Sequence, residues 1–111
     1  MIEIVIKKFL DDHLPVPSFL EWSGEMPDRF VLFEKTSGAK KNQLSSATFA
    51  FQSYAESMYE AAKLNDELKQ VIENMIELDE ISGIHLNSDY NFTDTETKRY
   101  RYQAVFDINH F

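Results

Sequence analysis

The sequence predicts an α+β fold, an antiparallel or mixed sheet of about four to five strands packed on one long helix and a short N-terminal helix. Three observations point there. From Tyr54 to Leu78, apolar residues recur every three or four positions with no Gly or Pro between them. From Lys98 to Asn109, Tyr100, Tyr102, Ala104, Phe106 and Ile108 alternate with Arg99, Arg101, Gln103, Val105, Asp107 and Asn109, the two-residue period of a strand. Between them in character is Phe30-Val31-Leu32-Phe33, a run apolar on both faces, as in a strand covered on each side.

Taken in order, Ile2, Val5, Ile6, Phe9 and His13 fall on one helical face, predicting a short helix over residues 2–12. Pro15 and Pro17 end it, because each lacks an N–H and pushes its predecessor out of the α region. Val16 to Trp22 reads as an edge strand, where proline is tolerated. Ser23 to Asp28 reads as a turn from its Gly, Pro and Asp content. A strand over Arg29–Lys35 follows. Thr36 to Gln43 carries no apolar residue larger than alanine and reads as a loop projecting from the body. A strand over Ser45–Gln52 completes a long hairpin, with Ala47, Phe49 and Phe51 on its inner face.

The long helix is expected to begin at Ser53, because Ser53-Tyr54-Ala55-Glu56 has the form of a capping box. Tyr54, Met58, Ala61, Leu64, Leu68, Val71, Met75 and Leu78 form its apolar stripe, widened by Ala62, Ile72 and Ile76. Asp79 to Gly83 turns the chain, Ile84, Leu86 and Tyr90 or Phe92 form a strand, and Thr93 to Thr97 turns it again.

With 111 residues the chain is expected to be one domain over residues 1–111. It has no cysteine, which removes disulfides, thiolate catalysis and cysteine-bound zinc; a reducing, cytoplasmic setting fits. A formal charge of −8 argues against a surface that grips nucleic acid. The apolar start is broken by Glu3, Lys7 and Lys8, well short of a membrane span, and lacks the order of a signal peptide.

No motif in the sequence predicts an enzyme. His13, His85 and His110 have no second ligand at helical metal spacing, Ser37 lacks a nucleophile elbow, and there is no phosphate-binding glycine loop. Glu77, Asp79 and Glu80 lack the loop spacing of a calcium site. No catalytic, cofactor-binding or metal-binding residue is assigned. The candidates for an oligomer or partner interface are Gly38, Lys40, Lys41, Asn42 and Gln43 in the loop, and Arg99 and Arg101 on the last strand.

The chain as a whole resembles the small tail-terminator or head–tail joining proteins of long-tailed bacteriophages. The resemblance runs through Leu14-Pro15-Val16-Pro17, then Pro27-Asp28-Arg29-Phe30-Val31-Leu32-Phe33-Glu34-Lys35-Thr36-Ser37-Gly38, similar to that family's strand ending in a Thr-Gly type turn. It continues through Ala47-Thr48-Phe49-Ala50-Phe51-Gln52-Ser53-Tyr54-Ala55, Glu60-Ala61-Ala62 and the closing Arg101-Tyr102-Gln103-Ala104-Val105-Phe106. It implies a non-enzymatic virion protein assembled in the host bacterial cytoplasm. Such a protein is a ring, commonly a hexamer, that caps the tail tube and joins it to the head connector. DNA would pass through without specific binding, which an acidic lumen favours by repelling phosphates. Two other classes remain: an interaction module binding a peptide by strand addition, and a small hydrolase built from scattered His and Asp residues.

Overall fold

The structure, a computed structural model, describes residues 1–42, 44–97 and 99–111. It is α+β. Helix α1 (Ile2–His13) is followed by strands β1 (Ser18–Phe19), β2 (Phe30–Lys41) and β3 (Leu44–Ala55). Helix α2 (Met58–Asn74) runs on into a 3-10 turn at Met75–Glu77, and strands β4 (Ile81–Asn91) and β5 (Tyr100–His110) close the fold. The five strands form one sheet in the order β1-β2-β3-β5-β4. The β1–β2 pair is parallel and the other three pairs are antiparallel, so the sheet is mixed.

Helix α1 ends where the prolines require. Leu14, before Pro15, has extended φ −94° and ψ 145°, and its N–H closes the last turn onto the Leu10 carbonyl. Ser18 ties β1 back to the helix: its hydroxyl donates to Asp11 Oδ1 at 2.7 Å, and Lys7 Nζ donates to Asp11 Oδ2 at 2.7 Å. Partial burial pushes the Asp11 carboxyl up, but the hydrogen bonds from Lys7 and Ser18 outweigh it and hold the group below its ordinary value.

The helices lie on one face of the sheet. Alternation along β3 and β5 aims Ala47, Phe49, Phe51, Ala104, Phe106 and Ile108 at them, into a core shared with Ile6 and Leu10 of α1 and Leu64, Leu68 and Ile72 of α2. Three phenylalanine rings, Phe33, Phe51 and Phe106, meet there, the first two stacked at 5.5 Å and the last edge-on to Phe51 at 6.0 Å. Among the described residues no helix lies on the opposite face. At one end of it Trp22, in the segment after β1, packs edge-on against Phe30 and Tyr54, which stack on each other at 4.5 Å.

Four expectations are corrected, the first two on the long helix. The long helix starts four residues later than the first Ser-x-x-Glu implies. Ser53 and Tyr54 are buried residues of β3, and the cap is Ser57, whose Oγ accepts the Glu60 N–H at 3.1 Å. The sequence holds two such patterns in tandem, Ser53-Tyr54-Ala55-Glu56 and Ser57-Met58-Tyr59-Glu60, and pairing with β5 claims the first for the sheet. Ile76, placed in the apolar stripe by its spacing, is 49% exposed because the chain has left the α-helix by Met75.

The third correction concerns residues 36–43. Thr36 to Lys41 are strand, not loop, and Gly38 pairs with Ala47 rather than ending a strand in a Thr-Gly turn. Glu34 to Lys41 are exposed on both sides of β2, so they are polar because nothing covers them. The ladder survives because β3 is held from its far side by β5 along its whole length. The reversal itself falls between Lys41 and Leu44, with Asn42 at φ 53°, a left-handed conformation that asparagine accepts. β1 is also shorter than the extended edge read over Val16–Trp22, since only Ser18 and Phe19 meet β2.

Candidate functional site

The two groups of candidate residues lie at opposite ends of the sheet. Gly38, Lys40, Lys41 and Asn42 are at the hairpin tip; Gln43 lies outside the described residues. Arg101 pairs with Tyr54, ten residues along β3 from Leu44, which at strand rise is roughly 33 Å away. They cannot form one patch on a single copy.

At the tip, Lys35 lies across Gly38, where a methyl would meet its Cε at 2.7 Å. The tip is the end of an ordered row. Lys40 pairs with Ser45, Ser45 with His110, and His110 with Ile81, so four strands finish at one level. Just before Ile81 come Glu77, Asp79 and Glu80, all exposed. Lysines therefore gather at the β2 side of this end and carboxylates at the β4 side. Among the described residues, Lys35, Lys40, Lys41, Glu77, Asp79 and Glu80 make no ion pair with one another or with other groups.

The sheet's two outer edges are also open. β1 covers only Val31 and Leu32, so β2 from Phe33 to Lys41 has a strand on one side alone. β4 is the last strand on the other side. Each leaves a row of backbone donors and acceptors without a strand partner.

At the far end the arginines are engaged within the chain. Arg101 donates from Nε to the Phe92 carbonyl at 2.6 Å and from Nη1 to the Tyr54 hydroxyl at 2.7 Å, with its guanidinium 4.4 Å from the Phe92 ring centre. Arg99, joined to Asp94 by an isolated bridge just before β5, holds its guanidinium 4.9 Å from the centre of the Trp22 ring. The Lys98 start expected for this strand lies outside the described residues. Facing the helix-free side, Tyr54 donates to Gln52, Gln52 to Gln103, and Gln103 to Tyr90, a chain of side-chain hydrogen bonds across β3, β5 and β4. Sequence reasoning missed this network. Its only signal was the single tryptophan, Trp22, in a segment otherwise read as an edge strand.

Two more contacts fix the remaining elements. Arg29 donates from Nε to both carboxylate oxygens of Glu56, at 2.7 and 2.9 Å, and its Nη1 reaches Glu60 at 3.1 Å, holding the start of β2 to the start of α2. The hydrogen bond to Glu56 raises Arg29 and the same bond lowers Glu56. Asn65 of α2, buried, donates to Asp89 of β4 at 2.6 Å, and Lys69 bonds the other Asp89 oxygen, which raises the lysine above its ordinary value.

The histidines stand on three separate elements. His13 stacks on Phe9 at 4.0 Å and its Nδ1 is 2.9 Å from the Phe9 carbonyl; His85 is on exposed β4, and His110 ends β5. Among the described residues no group of three or more His, Cys, Asp or Glu side chains is placed to hold a metal ion, and no helix is long and apolar enough to cross a membrane. No family model and no curated protein matches the chain.

Proposed function

We propose that this chain is a structural assembly protein that forms a ring, of six copies by the resemblance above, at the head-proximal end of a bacteriophage tail tube. Its partners are further copies of itself, the tail tube protein and the head connector protein, and it catalyses no reaction. The observation that carries the reading is the pair of open sheet edges. A ring needs two different surfaces on each copy that match one another and close by rotation. This sheet offers two different edges, β2 beyond Leu32 and the whole of β4. The resemblance along the full chain supports the place in the virion, and the net charge of −8 supports a lumen that lets DNA pass without adhering. Native mass spectrometry of the purified protein, and electron microscopy of it mixed with tail tubes, test the proposal. Closed oligomers seated at tube ends are expected. A protein that stays monomeric at all concentrations and never decorates a tube end would refute it.

The same edges favour a second reading, an interaction module or connector adaptor that receives an extended peptide as an added strand. The two differ in stoichiometry. Capture of one short ligand by a protein that does not self-associate would favour the module.

A further inference from the structure

We propose that copies of this chain join edge to edge, the open stretch of β2 in one copy lying antiparallel beside β4 of the next, with the tip lysines of the first against the acidic approach to β4 of the second. This rests on the reading of the chain as a self-assembling protein and specifies the contact.

Strand direction supplies the first reason. β2 is antiparallel to β3, β3 to β5, and β5 to β4. β2 and β5 thus run one way, β3 and β4 the other. When two copies face the same way side by side, the β4 of one and the β2 of the other are antiparallel. The alternation continues across the joint without a break, in the better bonded of the two sheet geometries.

Length and level supply the second. β2 is open over Phe33–Lys41, and β4 begins at the level of Lys40 through the Lys40–Ser45–His110–Ile81 row. Laid side by side without stagger, the open part of β2 faces β4 from Ile81 to Asp89, all but its last two residues. Beyond that, β1 of one copy meets the end of β4 of the other.

Charge supplies the third, and it selects among pairings. Lys40 and Lys41 and the carboxylates of Glu77, Asp79 and Glu80 lie at the same end of the sheet but on opposite edges. A two-fold contact of β2 with β2, or of β4 with β4, is antiparallel only if the two copies point their tips in opposite directions. The lysines and the acids then end up far apart. Only the β2–β4 contact brings them together, so the edge lysines, which discourage indiscriminate strand addition, here favour one partner edge.

Cross-linking tests the geometry directly, because the chain has no cysteine of its own. Ser37, Thr48, Asp107 and His85 form one row across the sheet, so Ser37 of one copy would stand beside His85 of the next, within reach of a disulfide. Both outer positions are exposed, and neither substitution disturbs the core. Oxidation of the S37C/H85C protein should give a covalent ladder beyond the dimer, and a mixture of the two single variants should give only dimers holding one of each. Dimers from either single variant alone, or no ladder from a double variant that native mass spectrometry shows to be oligomeric, would overturn the edge pairing and leave self-assembly standing. A wild-type protein that is monomeric throughout would remove both. In parallel, the K40E/K41E protein should associate roughly tenfold more weakly and regain association when combined with E77K, D79K and E80K. Unchanged association of K40E/K41E would count against the charge pairing.

Discussion

Replacing Ser57 and Ser53 separately by alanine distinguishes where the long helix begins. Ser57 Oγ accepts the Glu60 N–H at 3.1 Å, satisfying one of the four donors that a helix start leaves without partners. The reciprocal half of a capping box is not formed, because Glu60 directs its carboxylate to Arg29 at 3.1 Å instead. A single cap bond is therefore at stake, and Ser57→Ala should cost about 1 kcal/mol. Ser53 is the opposite case. It is fully buried in β3 and its Oγ has no hydrogen-bond partner among the described residues, so alanine removes an unpaired hydroxyl and leaves a gap of one atom. The relief of an unpaired polar group, about 1–3 kcal/mol, offsets that gap, and Ser53→Ala should be neutral or mildly stabilising. Urea unfolding of both variants, followed by far-UV circular dichroism, measures the contrast, with no change in the slope against denaturant. A loss of about 1 kcal/mol in Ser53→Ala alongside a neutral Ser57→Ala would place the cap at Ser53 and refute the β3 boundary.

Leu68→Ala, which empties a site with no solvent exposure between α2 and the sheet, should cost about 2–5 kcal/mol in the same assay. Arg101→Lys keeps the charge but loses the bonds to the Phe92 carbonyl and the Tyr54 hydroxyl, so it should destabilise by about 1–2 kcal/mol and alter the near-UV dichroism of the Trp22–Tyr54 cluster. Because Asp11 is held below its ordinary value in the folded chain, its contribution is present above the unfolded value near 3.8 and is lost as pH falls through the lower folded value. Its side chain is 42% exposed, so the effect is a few tenths of a kcal/mol, about what an exposed pair supplies. Asp11→Asn should remove that part of the acid dependence, as a comparison of unfolding midpoints at pH 3 and pH 6 would record.

The fold class was legible because periodicity reports burial. The stripe of α2 buries Ala61, Leu64, Leu68 and Ile72, and the alternation of β5 turns Ala104, Phe106 and Ile108 into the core; both elements are present, with α2 shorter at each end than its stripe. The helix start was misread because two identical cap patterns follow one another, and local chemistry cannot rank them; the ladder to β5 does. The outer half of β2 was misread as loop for a related reason. Without a covered face it carries no hydrophobic signal, and its strand character comes from neighbours distant in sequence.

The candidate interface divides in the same way. Composition located the lysines and arginines but could not say that roughly 33 Å separates the two groups, or that Arg101 is engaged by Tyr54 and Phe92. Nor could it say that Lys40 and Ile81 end at one level. By itself the sequence determined which segments bury a face, and hence that helices cover a sheet, because side-chain hydrophobicity at a fixed period is a local property. Strand order and register decided what lies at the edges and which charges face across them, because hydrogen bonds between distant strands set those positions and no single segment encodes them.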